Sequence, residues 1–309
     1  MVEITQDGRH LSALRGFMIV SENHIEVGRV PLDDIGALIV NAHGITYSNN
    51  LLIALAERGA VMVLCGANHA PVAWVWPMVG HHAQAARMLA QVDAGKPLGK
   101  RLWQIVIRSK IEQQGAVLKA LGKSSEGFRL LARRVGSGDP ENLEAQAARR
   151  YWPLIFGSDF RRDRSESGTN ALLNYGYTVL RSATARAVVA AGLHPSLGIH
   201  HRHRANDMCL VDDLMEPFRP LVDLRVARLV MDGVREVDRT SKEILASLGI
   251  ADMQTARGVT PLATCLERLA TSLGQAFESG EAKLDLPLAP LPIDLAPANT
   301  AVAEDDLFD

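Results

Sequence analysis

Three places in this 309-residue chain hold side chains that could do chemistry: a glutamate on an apolar helical stripe, a histidine-rich loop, and a run of acids at a helix start. Glu144 lies in a helix expected to begin at Asp139-Pro140, and its stripe continues through Ala148, Tyr151 and Ile155. A carboxylate on such a stripe faces the protein, where it needs a cation or hydrogen-bond donors. Early in a helix, it could equally answer the helix dipole. The loop Gly198-Ile199-His200-His201-Arg202-His203-Arg204 follows a helix stop at Gly192, and its imidazoles suit a metal, a phosphate or plain solvent. In Asp212-Asp213-Leu214-Met215-Glu216, the acids Asp213 and Glu216 stand three apart and can share one helix face. They read as functional acids or as ordinary helix caps.

Taken together, Glu144, His201 and Glu216 have the hard-oxygen-plus-imidazole character that suits Mg²⁺ or Mn²⁺. Arginines crowd around them in sequence at Arg149, Arg150, Arg161, Arg162, Arg164, Arg202, Arg204 and Arg219. Carboxylates for a divalent ion beside guanidiniums for phosphates meet the needs of phosphodiester chemistry, because the cation stabilises charge at phosphorus while arginine positions the backbone. Other chemistries lack their motifs: there is no Walker loop, GxGxxG, GxSxG elbow or zinc-finger spacing. Cys65, Cys209 and Cys265 are widely separated and form no CxxC pair, so they read as reduced thiols of a cytoplasmic protein.

The net charge of -2 conceals an uneven distribution. Residues 99–134 hold nine Lys or Arg, Arg101, Arg108 and Lys110 among them, against Glu112 and Glu126; residues 276–309 hold eight acids and one lysine. A basic body points to a polyanionic partner, since phosphate binding needs local positive potential; a solvated helical face is the alternative. No run approaches the roughly 18 apolar residues of a membrane helix, and Met1 to His10 lacks a signal-peptide pattern.

The elements that must position these residues fall into two classes. Residues 1–80 alternate short β-rich runs (17–20, 25–27, 37–40, 61–64 and 71–76) with turn signals, and a short helix over 51–58 is capped by Asn49 or Asn50. From residue 81 the period changes to about 3.6 and strand signals nearly vanish. Helices are expected near 82–94, 98–121, 140–156, 169–191, 214–232, 238–248 and 260–278. Four prolines interrupt the acidic stretch 281–309, which reads as a disordered tail. The fold expected is α+β: a β-rich domain over 1–80, a helical domain over 81–280, and the tail.

Several runs resemble a known family, the CRISPR-associated integrase of spacer acquisition, which is the near-universal adaptation nuclease of those systems. They are Arg101-Leu-Trp-Gln-Ile-Val-Ile-Arg-Ser-Lys-Ile111, Glu144-Ala-Gln-Ala-Ala-Arg-Arg-Tyr151, Asn170-Ala-Leu-Leu-Asn-Tyr-Gly-Tyr177, the segment from Ala191 to His201, and Asp213-Leu-Met-Glu-Pro-Phe-Arg219. The Gly-Ile-His-His and Asp-Leu-Met-Glu-Pro-Phe-Arg-Pro runs look like the type II branch, whose arrays serve a single RNA-guided effector nuclease. The resemblance implies an N-terminal dimerisation domain and a helical catalytic domain. It implies a metal site of Glu144, His201 and Glu216, where Mg²⁺ or Mn²⁺ would assist a 3′-hydroxyl of a short DNA duplex in attacking phosphodiesters of the repeat array. Asp213 would stand behind this set as a water-mediated acid, with His200 beside it. DNA contacts are expected from Arg101, Arg108, Lys110, Arg149, Arg150, Arg161, Arg162, Arg202 and Arg204. The implied partners are the short duplex, the array, a second copy of the chain, a small ferredoxin-like adaptation protein and the type II effector nuclease. A nuclease that only hydrolyses, or a silent DNA-binding scaffold, would share much of this pattern.

Overall fold

The computed structural model describes residues 2–290 except 67–70, 76, 79–82, 164 and 204. The N-terminal part runs β1 (Val2–Ile4), β2 (Arg9–Leu14), β3 (Phe17–Glu22), β4 (Ile25–Pro31), β5 (Ala37–Val40), β6 (Thr46–Tyr47), α1 (Asn49–Glu57), β7 (Val61–Cys65) and β8 (Pro71–Val75). Two tight turns set the antiparallel order of β2, β3 and β4. Arg15-Gly16 and Asn23-His24 both take positive φ at two successive residues, as the right-handed twist of a two-residue hairpin requires. One sheet has the order β4-β3-β2-β6 and the other β1-β5-β7-β8, with β1, β5 and β7 parallel. Their inner faces meet Leu51 and Leu55 of α1 in one core with Leu11, Met18, Leu38 and Met62. The cap of α1 is Ser48, not Asn49 or Asn50: its hydroxyl accepts from Leu51 N at 3.3 Å.

The second part is mainly helical: α2 (Gln84–Asp93), α3 (Lys96–Ala120), α4 (Phe128–Arg134), α5 (Leu143–Phe156), α6 (Thr169–Ala190), α7 (Cys209–Met215), α8 (Arg219–Met231), α9 (Arg239–Ala246) and α10 (Leu262–Ser279). Helices α3 and α6 are its two axes. The first packs on α4, α5, α7 and α8, the second on α7 to α10, around a core that includes Trp103, Phe128, Tyr151 and Phe218. Among the described residues, no helix is long and apolar enough to cross a membrane.

The helical part departs from expectation in ways that matter to function. The helix expected over 214–232 is two helices. Pro217 has no N–H to continue α7, so the chain makes a 3₁₀ turn over Glu216–Phe218 and restarts at Arg219-Pro220. Helix α5 starts at Leu143 rather than Pro140, capped by Asn142 and by Asp139, whose carboxylate accepts from Leu143 N at 2.9 Å and Glu144 N at 3.0 Å. The seven residues of α4 were too few to show a period. A hairpin of β9 (Asp252–Thr255) and β10 (Gly258–Pro261) interrupts the helical part unannounced.

The expectation of an unpacked tail from residue 281 does not hold for its first ten residues. Leu284 and Leu286 pack against the helical core, Asp285 N donates to Ser272 Oγ at 2.9 Å, and β11 (Ala289–Pro290) adds an edge to β9. A proline is tolerated there because an edge strand needs only one ladder partner. Residues 291–309 lie outside the described residues.

The two parts are joined through Glu3 of β1. Its carboxylate accepts from Asn41 Nδ2 at 2.7 Å and from Tyr175 OH of α6 at 2.5 Å. Lys242 of α9 stands 3.8 Å away, over the Tyr175 ring.

Candidate active site

Glu144 occupies the first turn of α5 and Glu216 the break between α7 and α8. Lys110, from the middle of α3, reaches both: its Nζ is 2.6 Å from Glu144 Oε1 and 2.6 Å from Glu216 Oε2. Arg219, one turn beyond Glu216, holds the other oxygen, with Nε 2.8 Å from Glu216 Oε1. Glu216 is 7% exposed and Lys110 11%, so these charges sit where unpaired ions would be costly. Burial pushes the Glu216 pKa up, but Arg219 and Lys110 outweigh it and hold the carboxyl below its ordinary value. Burial likewise works against the Lys110 charge, and Glu216 and Glu144 more than offset it.

His201 lies on the loop between α6 and α7, where Asp213 of α7 fixes it. Asp213 is wholly buried; its Oδ1 is 2.5 Å from His201 Nδ1, and its Oδ2 accepts from His200 N at 2.8 Å. This bond, against burial, raises the His201 pKa. With Nδ1 engaged, the ring has Nε2 left for a ligand. Gly198 lets the loop close, since a Cβ there would come within 2.4 Å of His201 O and 2.9 Å of Asp213 Oδ2. Asp213 thus stands behind His201, with both oxygens engaged by the loop. His200 stacks flat on buried Trp103, ring centroids 4.3 Å apart, and burial lowers its pKa.

Lys110, His201 and Glu216 open on a cleft of about 1380 Å³ lined also by Arg162, Arg181 and Arg219. Arg162 is oriented by Asn170 Oδ1 (2.9 Å) and Asn174 Oδ1 (2.7 Å), and Arg181 by Asp212 (2.7 Å). Below them Tyr177 OH donates to buried Asp223. Among the described residues, no three His, Cys, Asp or Glu side chains converge as a ready-made metal cluster. The donor set nonetheless fits a hard divalent ion, with two carboxylates and an imidazole of fixed orientation. Moreover, Glu216 Oε2 is buried, with the Lys110 ammonium 2.6 Å away.

The residues expected to meet DNA are not equivalent. Arg162 lines the cleft, while Arg149, Arg150, Arg161 and Arg202 are exposed. Arg101 is exposed at the end of α10, with Nη2 3.5 Å from Gly280 O. Arg108 is turned inward: Nε and Nη2 both donate to Val135 O, at 3.1 and 2.9 Å, because the end of α4 leaves that carbonyl unpaired. Lys110 is not on a solvated basic face but between the two carboxylates. Arg204 and Arg164 lie outside the described residues. Arg181 and the Tyr177–Asp223 pair escaped sequence reasoning, since α6 brings Arg181 and Tyr177, and α8 brings Asp223, to the cleft from positions that read as ordinary helix.

A β-rich domain followed by a helical domain is the fold of a solved Cas1 protein from Thermotoga maritima, with a TM-score of 0.74 at 14% identity over 92% of this chain and 98% of that one. Residues 2–245 match the family described as CRISPR associated protein Cas1, and the chain belongs to it. It is 38% identical over 239 residues to the CRISPR-associated endonuclease Cas1 of Neisseria meningitidis serogroup C, covering 77% of this chain and 78% of that one. Among solved structures, it resembles a casposase bound to integration product, with a TM-score of 0.75 at 18% identity over 92% of each chain. It also resembles a chain of a Cas6-RT-Cas1–Cas2 complex, with a TM-score of 0.70 at 17% identity over 92% of this chain and 35% of that one.

Proposed function

We propose that the protein is a metal-dependent DNA endonuclease and integrase of spacer acquisition, which inserts short duplexes into a CRISPR repeat array. The observation that carries this reading is that Lys110 bridges Glu144 and Glu216, from separate elements, while Lys110, Glu216 and His201 line one cleft with Arg162, Arg181 and Arg219. The name of the meningococcal relative supports an endonuclease, and the integration product held by the similar casposase supports strand joining.

Glu144, Glu216 and His201 Nε2 would hold Mg²⁺ or Mn²⁺. Bound there, the ion would supply charge stabilisation at phosphorus and at the attacking or leaving oxygen. Asp213 keeps His201 in the tautomer that presents Nε2, and Arg219 holds Glu216 in place. Arg162 and Arg181, each pinned by its own acceptors, position the phosphate backbone without reading its sequence. A 3′-hydroxyl bonds to phosphorus as the existing P–O3′ bond breaks, so one phosphodiester replaces another and the released 3′-oxygen takes up a proton.

The protein would act in the cytoplasm as a dimer joined through its N-terminal sheets, with a Cas2-type partner like that of the similar complex, alongside the type II effector nuclease. Incubation with labelled duplex, supercoiled array plasmid and Mn²⁺ tests the reaction. Joined product is expected. Cut product alone would reduce the protein to a nuclease, and neither would leave a scaffold.

A further inference from the structure

The Lys110 ammonium stands where a cation shared by Glu144 and Glu216 would have to stand. It is 2.6 Å from an oxygen of each, so a divalent ion bridging the same two oxygens competes with it for them. The charges give the same result. Glu144 and Glu216 balance Lys110 and Arg219; a divalent ion added with Lys110 in place leaves an excess of positive charge, which Asp213 behind His201 offsets only in part, beside a nearly buried carboxylate. The excess can be relieved if Lys110 withdraws and meets an anion. Its stem rises from α3 into the cleft that Arg162 and Arg181 also line, so a backbone phosphate there would be within its field.

We propose that Lys110 is a built-in counter-ion that the divalent cation displaces and a DNA phosphate then receives, so that metal and DNA load the site cooperatively. The inference rests on reading Glu144, His201 and Glu216 as the cation site. In the metal-free protein, Lys110 keeps the two carboxylates together and neutralised. Once displaced, it adds a phosphate contact in the cleft. Metal alone competes with an ammonium, and DNA alone finds that ammonium engaged; each ligand relieves the other's penalty, and the coupling is reciprocal.

Mn²⁺ binding to the full-length protein, read from the paramagnetic resonance signal of the free ion with and without a blunt DNA duplex, tests this without any turnover. In the wild type, duplex should tighten Mn²⁺ binding by about fivefold or more. Lys110→Gln should bind Mn²⁺ more tightly than the wild type in the absence of DNA and lose most of the enhancement, whereas Lys110→Arg should keep both wild-type properties. Equal Mn²⁺ affinity in Lys110→Gln, or a wild type indifferent to duplex, would overturn the proposal; the wild-type arm holds even if a variant fails to fold. Glu144→Ala separates the two levels: if it binds Mn²⁺ as the wild type does, the site itself is misassigned, whereas loss of Mn²⁺ binding there with an unchanged Lys110→Gln overturns only the role of Lys110.

Discussion

At the scale of single residues, the site is a set of charges held by other charges: Glu144 and Glu216 share Lys110, and Glu216 answers also to Arg219. Glu216 is kept ionised by Arg219 and Lys110, whereas Asp223, one layer deeper, is pushed up to about 7 by burial, despite the hydrogen bond from Tyr177. In the folded protein, Asp223 holds a proton that the unfolded chain releases above its ordinary value of 3.8. Its contribution to stability is therefore complete below that value and is lost as pH rises towards about 7. The melting temperature should carry a component that declines across that window, and Asp223→Asn should flatten it; an unchanged slope would mean that the proton is not held. Glu144, His201 and Glu216 stood out in the sequence as acids and an imidazole on an apolar stripe, a loop and a helix start, but helix capping and solvent exposure accounted for each equally well. Only the family resemblance joined them as one set. Lys110 was legible only as one basic residue among nine, since nothing in local spacing reveals that α3 carries it to carboxylates 34 and 106 residues away.

At the scale of elements, the site depends on where helices stop. Pro217 ends α7, and the 3₁₀ turn that begins at Glu216 packs against α3. The sequence displayed this proline, but an apolar pattern running through it favoured one helix over two. The switch from β to helical period near residue 81 was legible because it extends over many residues, while the β9–β10 hairpin, with four residues in each strand, fell below the length at which alternation is visible. The segment after α10 was misread for a related reason: proline density signals disorder on average, yet Leu284 and Leu286 suffice to dock a short stretch. Removing residues 291–309 should leave the melting temperature nearly unchanged. Removing 281–309 should lower it by several degrees, since each partly buried leucine contributes about 1 kcal/mol and each kcal/mol shifts the transition by about 2–4 °C in a chain of this size. Equal melting temperatures for the two truncations would show that the docked segment contributes nothing.

At the scale of the whole molecule, the β-rich part is small, and β4 stands at the edge of its sheet with Ile25 69% and Val27 50% exposed. Such an edge is a liability unless something covers it, and a second copy would do so by symmetry. Light scattering should give twice the 33.5 kDa chain mass for the wild type and the single mass for the double variant I25D/V27D; a dimer that survives both changes would place the contact elsewhere. A dimer joined there would carry two clefts, one for each 3′ end of a duplex, each tied to its N-terminal sheet through Glu3, Tyr175 and Lys242. The central claim is that Glu144, His201 and Glu216 form one metal-dependent centre for strand transfer, and the joining assay on Glu144→Ala tests it most directly. With Mn²⁺, labelled duplex and array plasmid, the wild type should yield joined product, and the variant should yield none while keeping the wild-type melting transition and mass. Wild-type yields of joined product from Glu144→Ala would contradict the account.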